Sequence, residues 1–270
     1  MPDIVTTRRG RVLEIGLDRA PVNSITQAFS REIHAALKQL QDDPDLSVGL
    51  IHSLQSRAFS AGWDLKAAAR GEEEISNDEV VAGAFGPGGF AGITEYWDLT
   101  KPVVAAIDGP AIGGGFEIAM ACDVLVASER SYFWLPEMQR GILPDAGGIQ
   151  RLPHLIPVNV AKAMILTGRK MTAQEAQGWG LVYEVAAEGQ ALERARAVAD
   201  EIVLGAPLAL MALKEAFAAC EGQSVRDSVA VMRSSDPAVL PIYKRMMESE
   251  DALEGVRAFA EKRSPVWKCR

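Results

Sequence analysis

The chain has 270 residues, of which 48% are hydrophobic and 24% are charged, and its formal net charge is −8 at pH 7. This composition is typical of a globular protein with a sizeable core, and the acidic balance argues against nucleic acid or an anionic membrane surface as a partner. The three cysteines lie far apart without a C-x-x-C pair, so we expect free thiols and a cytoplasmic protein. No apolar run follows the N-terminal arginines, and the longest one, residues 202–213, is too short for a bilayer, so neither a signal peptide nor a membrane span is predicted.

The first hundred residues predict a hairpin, a helix and a strand. Residues 4–5 and 12–17 predict the two strands of the hairpin. Apolar residues at helical spacing predict a helix over 26–41, and residues 48–54 predict a buried strand. Residues 70–92 are rich in glutamate and glycine and show no period. They predict a mobile surface segment, either a solvated loop or a flap over a substrate.

The middle of the chain predicts parallel crossovers. Residues 102–107, 114–121 and 123–127 have the patterns of a buried strand, a short helix and another strand. Strands alternating with helices indicate an α/β fold. Because so short a helix covers a standard βαβ unit poorly, the pattern favours a stacked, spiral arrangement over a doubly wound sheet.

The last hundred residues are mostly helical. Residues 157–166 predict a helix, and Thr172 with Glu175 predicts a capping box that opens another. Residues 181–185 are the last predicted strand. Helical patterns then follow over 191–204, 208–220, 225–247 with a break near Asp236 and Pro237, and 251–262. The predicted boundary therefore lies near residue 200, between an α/β core over 1–200 and a helical region over 201–270.

Three consecutive glycines, Gly113, Gly114 and Gly115, open the helix that follows strand 102–107. A glycine triplet can be only a tight turn that lets a helix pack closely on a strand. At a helix N-terminus, however, the first N–H groups lack intrahelical partners and the helix dipole favours negative charge. Such donors could stabilise an oxyanion, for example a thioester oxygen that becomes an enolate oxygen.

Two glutamates and a tryptophan complete this candidate site. Glu117 lies one turn into the helix among apolar neighbours, and burial would raise its pKa and suit it to proton transfer, although it could simply satisfy the helix N-terminus. Glu137 follows Pro136 and could equally be an ordinary first-turn glutamate. Trp63 follows a glycine-marked turn whose N–H could point into the same pocket as that of Gly114, although isolated tryptophans are usually core residues. Two such turns and two carboxylates are the groups needed to stabilise an enolate and move protons beside it.

Other catalytic signatures are missing from the sequence. It contains neither G-x-G-x-x-G nor G-x-S-x-G, and no G-K-[ST] phosphate loop. His34, His52 and His154 lack metal-ligand spacing, so we predict neither a metal site nor a cofactor.

These residues resemble the enoyl-CoA hydratase/isomerase (crotonase) family over nearly the whole chain. The segments that carry the resemblance are 58–65, 101–117, 133–144, 147–153 and 258–263. The resemblance implies a crotonase-like spiral of ββα repeats with a C-terminal helical trimerisation region, homotrimers that often pair into hexamers, and an acyl-CoA substrate. By motif position, the N–H groups of Trp63 and Gly114 would hold the thioester oxygen. Positions that would contact coenzyme A are Ala61, Asp64, Leu65, Lys66, Phe259 and Lys262, the last two in some cases from a neighbouring subunit.

Glutamate at both carboxylate positions resembles the hydratase pattern within this family. The resemblance implies syn addition of water to a trans-2-enoyl-CoA, with Glu117 activating water at C3 and Glu137 delivering the proton to C2, or with these roles shared or swapped. The alternatives are a double-bond isomerase, a dehydratase of another 3-hydroxyacyl-CoA, and a non-catalytic RNA-binding relative, which the acidic charge opposes. Two departures concern the acyl pocket: Trp63 is larger than the usual residue, and Asp145 stands where many hydratases carry glycine.

Overall fold

A computed structural model describes residues 3–73 and 83–270 of the chain. Its strands are β1 Ile4–Arg9, β2 Val12–Leu17, β3 Ser24–Ile25, β4 Val48–Ser53, β5 Gly62–Trp63, β6 Val103–Ile107, β7 Ala111–Ile112, β8 Val124–Ser128, β9 Tyr132–Trp134, β10 Lys170–Thr172 and β11 Glu184–Ala186. Its helices are α1 Gln27–Asp42, α2 Leu65–Ala69, α3 Gly114–Met120, α4 Gly148–Leu155, α5 Val158–Thr167, α6 Ala173–Gly178, α7 Ala191–Val203, α8 Pro207–Cys220, α9 Val225–Met232, α10 Pro241–Met247 and α11 Glu250–Ala260. Single 3-10 turns cover Phe90–Gly92 and Glu137–Arg140.

The main sheet has six strands in the order β1-β2-β4-β6-β8-β11, and every pair except the β1–β2 hairpin is parallel. The strands skipped along the chain form smaller sheets, β10-β9-β7 and β3-β5. Neighbouring strands of the main sheet thus follow one another in chain order. Between them, the chain forms the short strands of the smaller sheets. This is the predicted spiral α/β arrangement, and it differs from a doubly wound sheet, in which the strand order reverses.

The larger core lies on the face of the main sheet that carries α1 and α3, and Phe29 and Phe116 are fully buried there. The opposite face is covered by α7, through Ala195, Val198 and Ala199. A strand buried on both faces reads as a continuous apolar run, as β6 does. The main sheet is therefore a rigid base from which the loops at its strand ends project.

Most predicted elements are confirmed, and their caps explain their starts. Thr26 Oγ1 accepts from Phe29 N at 3.1 Å and begins α1. Thr172 caps α6 through the N–H of Glu175, but the Glu175 carboxylate pairs with Arg169 at 2.7 Å, so only half of the capping box forms. The strand predicted at 181–185 is wrong in its bounds, because residues 181–182 join the core and pairing begins at Glu184.

The predicted mobile segment over 70–92 needs correction. Residues 74–82 lie outside the described residues. In the following stretch, however, Phe90, Ala91 and Gly92 are buried, and Ala91 N donates to Ser30 Oγ at 3.0 Å. This end of the segment is part of the core rather than a solvated loop.

The four predicted C-terminal helical stretches are confirmed, with the third interrupted between α9 and α10. The domain boundary near residue 200 remains a prediction. Within the described ranges, no single helix is long and apolar enough to cross a bilayer, while the bent pair α7 and α8 meets the length and composition criteria only when taken together.

Candidate active site

Two glycine turns meet at the N-terminus of α3. Gly62 has a φ of +77°, and a Cβ on it would lie 2.7 Å from both Gly114 N and Ile112 O. A Cβ on Gly114 would in turn overlap the ring of Phe90. Glycine at both positions therefore allows β5, α3 and the Phe90 turn to approach one another without a side chain between them.

The two turns leave the backbone N–H groups of Gly114 and Trp63 outside the hydrogen bonds of their own helix and strand pair. Gly114 is the first residue of α3, so its N–H has no intrahelical acceptor. Across the β3–β5 pair, Asp64 N donates to Ile25 O at 2.9 Å. Successive N–H groups of a strand point to opposite edges, so the N–H of Trp63 points away from β3. The structure thus places Trp63 and Gly114 in neighbouring turns.

The Trp63 turn is fixed by a residue that the sequence analysis missed. Asn23 is fully buried, and its Nδ2 donates to Phe59 O at 2.9 Å and to Ser53 Oγ at 2.8 Å. The backbone carbonyl of Asn23 accepts a hydrogen bond from Ser60 Oγ at 2.7 Å. The available signal was an asparagine in a proline-containing loop, since Asn23 has a φ of +50°, which asparagine tolerates better than most residues.

Glu117 projects from α3 into a nearly closed environment and is only 4% exposed. Burial is the main cause that raises the pKa of its carboxyl to about 8; the N–H of Gly148 opposes the shift, and the nearby charge of Glu137 adds to it. That N–H donates to Glu117 Oε1 at 2.8 Å. Because Gly148 begins α4, its N–H lacks an intrahelical partner and is available to orient the carboxyl.

Glu137 begins a 3-10 turn and is 8% exposed. Its Oε1 lies 2.5 Å from where a Cβ of Gly113 would stand, so glycine there makes room for the carboxyl group. Its Oε2 is buried and has no hydrogen-bond partner in the described parts of the chain. Burial raises the pKa of Glu137, with Arg140 opposing and Asp145 adding to the rise. A buried, unpaired carboxylate oxygen is costly, which is typical of a site that receives a ligand.

The wall behind Glu117 is braced by Arg151, whose positioning role the sequence analysis also missed. Arg151 Nη2 donates to Thr94 O at 2.7 Å, and its guanidinium lies 5.6 Å from the ring centroid of Trp97. Its backbone N donates to Gly147 O at 2.7 Å. Arg151 therefore joins the turn that orients Glu117 to the segment that follows Phe90.

The residues predicted to contact coenzyme A fall into two groups. Asp64 Oδ1 caps α2 through Ala67 N at 3.0 Å, and Oδ2 pairs with Arg19 at 3.0 Å, so this carboxylate has a structural role. Ala61, Leu65 and Lys66 flank Trp63, with Leu65 and Lys66 exposed on α2. Phe259, 88% exposed, lies in the last turn of α11, and Lys262 follows the end of that helix. No three His, Cys, Asp or Glu side chains among the described residues are grouped to hold a metal ion.

Comparison with known proteins places the chain in a family. A family model described as enoyl-CoA hydratase/isomerase matches residues 7–270. Carnitinyl-CoA dehydratase of Proteus mirabilis (strain HI4320) is 48% identical over 264 residues, which cover 98% of this chain and 97% of that protein. The crystal structure of enoyl-CoA hydratase from Mycobacterium tuberculosis H37Rv has a TM-score of 0.87 at 36% identity and covers 100% of both chains. That of carnitinyl-CoA hydratase from Mycobacterium avium has a TM-score of 0.74 at 37% identity, again over 100% of both chains.

The chain therefore belongs to the enoyl-CoA hydratase/isomerase (crotonase) family. It is a hydro-lyase with the crotonase fold, and the resemblance inferred from the sequence motifs is confirmed.

Proposed function

We propose that the chain catalyses the reversible syn addition of water to a trans-2-enoyl-CoA, giving a 3-hydroxyacyl-CoA. The observation that carries this proposal is the pair of buried glutamates, Glu117 and Glu137, at the Gly113-Gly114 turn. Within the described ranges, Glu137 Oε2 has no hydrogen-bond partner. The carboxyl group of Glu117 is oriented by a hydrogen bond, and that of Glu137 has an oxygen available to a ligand. Such a pair can bind a water molecule and deprotonate it next to the carbon that it attacks.

In this mechanism the thioester oxygen accepts hydrogen bonds from the N–H groups of Trp63 and Gly114. Attack at C3 moves negative charge onto that oxygen, and donors fixed by the fold stabilise the charge without reorganising. The N-terminal end of α3 contributes in the same sense. By analogy with other oxyanion sites, losing one such donor lowers kcat by about 10²–10³-fold.

The two carboxyl groups share the proton chemistry. Burial raises the pKa of Glu117 to about 8, so this carboxyl group holds a proton near neutral pH, and burial also raises the pKa of Glu137. The mechanism uses the form of the pair in which one carboxyl group is protonated and the other is ionised. The ionised carboxylate removes a proton from water while the water oxygen forms a bond to C3. The protonated carboxyl group gives its proton to C2. Because one water can bridge both oxygens, each glutamate can take either role, and acid–base transfer of this kind supplies about 10²–10⁴ in rate.

The direct test uses crotonyl-CoA and follows the loss of its conjugated-enoyl absorbance. In D2O the proposal predicts a 3-hydroxybutyryl-CoA with a single deuterium at C2, on the same face as the new hydroxyl group. An isomerase would instead shift the double bond of a 3-enoyl-CoA without adding water. Stable oligomer that hydrates no trans-2-enoyl-CoA of four to ten carbons, but shifts RNA in a salt-sensitive way, would support the RNA-binding alternative.

A second candidate substrate is suggested by relatives named carnitinyl-CoA dehydratase and carnitinyl-CoA hydratase. A carnitinyl thioester is a 3-hydroxyacyl-CoA with a trimethylammonium group on C4, so losing its C3 hydroxyl is the same reaction in reverse. Under this second proposal, the chain dehydrates the trimethylammonium ester with a higher kcat/KM than 3-hydroxybutyryl-CoA. Equal kcat/KM for the two esters would contradict this second proposal and leave hydration of a simple trans-2-enoyl-CoA as the proposed function.

A further inference from the structure

We propose that Asp145 is a specificity-determining residue, whose carboxylate acts as the counter-ion for an acyl group carrying a positive charge, a quaternary ammonium group on C4. This inference rests on the proposed function, because it assigns a role to one more residue beside the same glutamates.

Asp145 is held at the site by its own turn. Pro144 packs so closely on Gly148 that a Cβ there would lie 2.7 Å from the proline Cβ. Ile149 N donates to Pro144 O at 3.1 Å, and Gln150 Nε2 donates to Asp145 O at 3.1 Å. Three residues after Asp145, the N–H of Gly148 donates to Glu117 Oε1. The turn that orients Glu117 therefore fixes the backbone of Asp145 as well.

The Asp145 side chain is free to meet a ligand. Its residue is exposed, and in the described parts of the chain its carboxylate makes neither an ion pair nor a hydrogen bond. The negative charge of Asp145 nevertheless acts on both glutamates, because it contributes to the raised pKa of Glu117 and of Glu137. An unneutralised negative charge this close to two acids is unfavourable in the empty site and favourable once a cation binds.

Two buried polar atoms without partners in the described part of the chain point to a bound group beside the glutamates. Glu137 is more than nine-tenths buried, and its Oε2 has no protein partner in the described residues. The indole of Trp63 belongs to the same site, and its Nε1 is buried without an acceptor there. Aromatic faces attract quaternary ammonium groups, which cannot donate hydrogen bonds and so need diffuse partners of this kind. Two cations act on the glutamates, and both already donate to backbone carbonyls: Arg140 to Pro136 O at 2.9 Å and Arg151 to Thr94 O at 2.7 Å.

The effect of the positive charge on binding can be measured separately from the effect of shape by comparing a cationic and a neutral thioester of the same shape. The saturated esters 4-(trimethylammonio)butanoyl-CoA and 5,5-dimethylhexanoyl-CoA differ only in nitrogen against carbon, and neither can react. Calorimetry on the intact oligomer should give the cationic ester a Kd about tenfold lower, which is the scale expected for one partly exposed ion pair. The preference should shrink at high salt.

In Asp145→Asn the preference should fall to about twofold through weaker binding of the cationic ester alone, and Asp145→Glu should restore part of it. Glu193→Gln, an exposed substitution on α7 across the main sheet, should keep the wild-type ratio. Equal binding of both esters by the wild type, or an unchanged ratio in Asp145→Asn, would overturn the proposal. Since these esters do not react, a failure of hydration with crotonyl-CoA is seen separately.

Discussion

At the scale of single residues, Glu117 carries a conflict between stability and function. In the unfolded chain its pKa is near 4.5, and burial raises it to about 8 in the folded protein. Between these values the folded state binds more protons than the unfolded state, so folding stability falls as pH rises. The slope from this one group is at most about 1.4 kcal/mol per pH unit.

Replacing Glu117 with glutamine should remove that slope. The amide oxygen can still accept from Gly148 N, and no charge is buried at high pH. Urea unfolding should therefore give Glu117→Gln a smaller loss of unfolding free energy between pH 5 and pH 8 than the wild type shows. Glu193→Gln, which is exposed, serves as the control and should follow the wild type. Parallel pH dependences for all three proteins would mean that Glu117 is ionised in the folded state at pH 5.

The same pair of acids predicts the pH dependence of turnover. Because one of the two carboxyl groups must hold a proton, kcat/KM should decline as the pH rises past the pKa of Glu117, near 8. Initial rates of crotonyl-CoA hydration between pH 5 and 10 measure this limb. A rate that keeps rising to pH 10 would show that the singly protonated pair is not the active form.

At the scale of elements, catalysis depends on how closely β5 approaches α3. Gly62→Ala places a methyl group 2.7 Å from Gly114 N, whereas Gly180→Ala, at a similar φ of +82°, meets nothing within 4 Å. Both substitutions strain the backbone by about 1–2 kcal/mol, but only the first forces β5 away from α3. We expect Gly62→Ala to lose a further ~1–3 kcal/mol of stability and at least tenfold in kcat. Equal losses in the two variants, measured by thermal unfolding and steady-state rates, would contradict this account of the turn.

The elements that sequence reasoning predicted correctly are those fixed by local chemistry. Thr26 caps a helix that its apolar spacing already marks, Thr172 caps the helix that the Thr172–Glu175 pattern predicts, and the short run 114–121 opens at its glycines. The features it missed depend on contacts between distant segments. Examples are Asn23 holding Phe59, Phe90 packing on Gly114, and Arg151 reaching Thr94. No local period encodes such contacts, although an asparagine at position 23 in a proline-containing loop and a glycine at position 148 are weak signals in the sequence.

At the scale of the whole molecule, the C-terminal helical region leaves large apolar side chains exposed. Those more than half exposed on α8, α9 and α11 are Leu213, Phe217, Val225, Leu253, Val256 and Phe259. A surface with this many apolar groups is typical of one that packs against another chain. The predicted trimer or hexamer remains a prediction, and this surface is its physical basis.

Phe259→Asp tests that prediction. A charge at the most exposed of these positions should weaken subunit association, and analytical ultracentrifugation should show smaller species at micromolar concentration. Leu166→Asp, an equally drastic change at an exposed position on α5, is the control and should not lower the association state. A wild-type chain that sediments as a monomer would contradict the predicted assembly.

The most direct test of the acid–base pair is the hydration of crotonyl-CoA by Glu117→Gln and Glu137→Gln, each compared with the wild type at equal oligomeric state. We predict that each substitution lowers kcat by at least about 10²-fold while the Kd of an unreactive acyl-CoA changes only a few-fold. If either variant retained a near-wild-type kcat, that glutamate would have no part in moving the proton, and the proposed mechanism would be wrong.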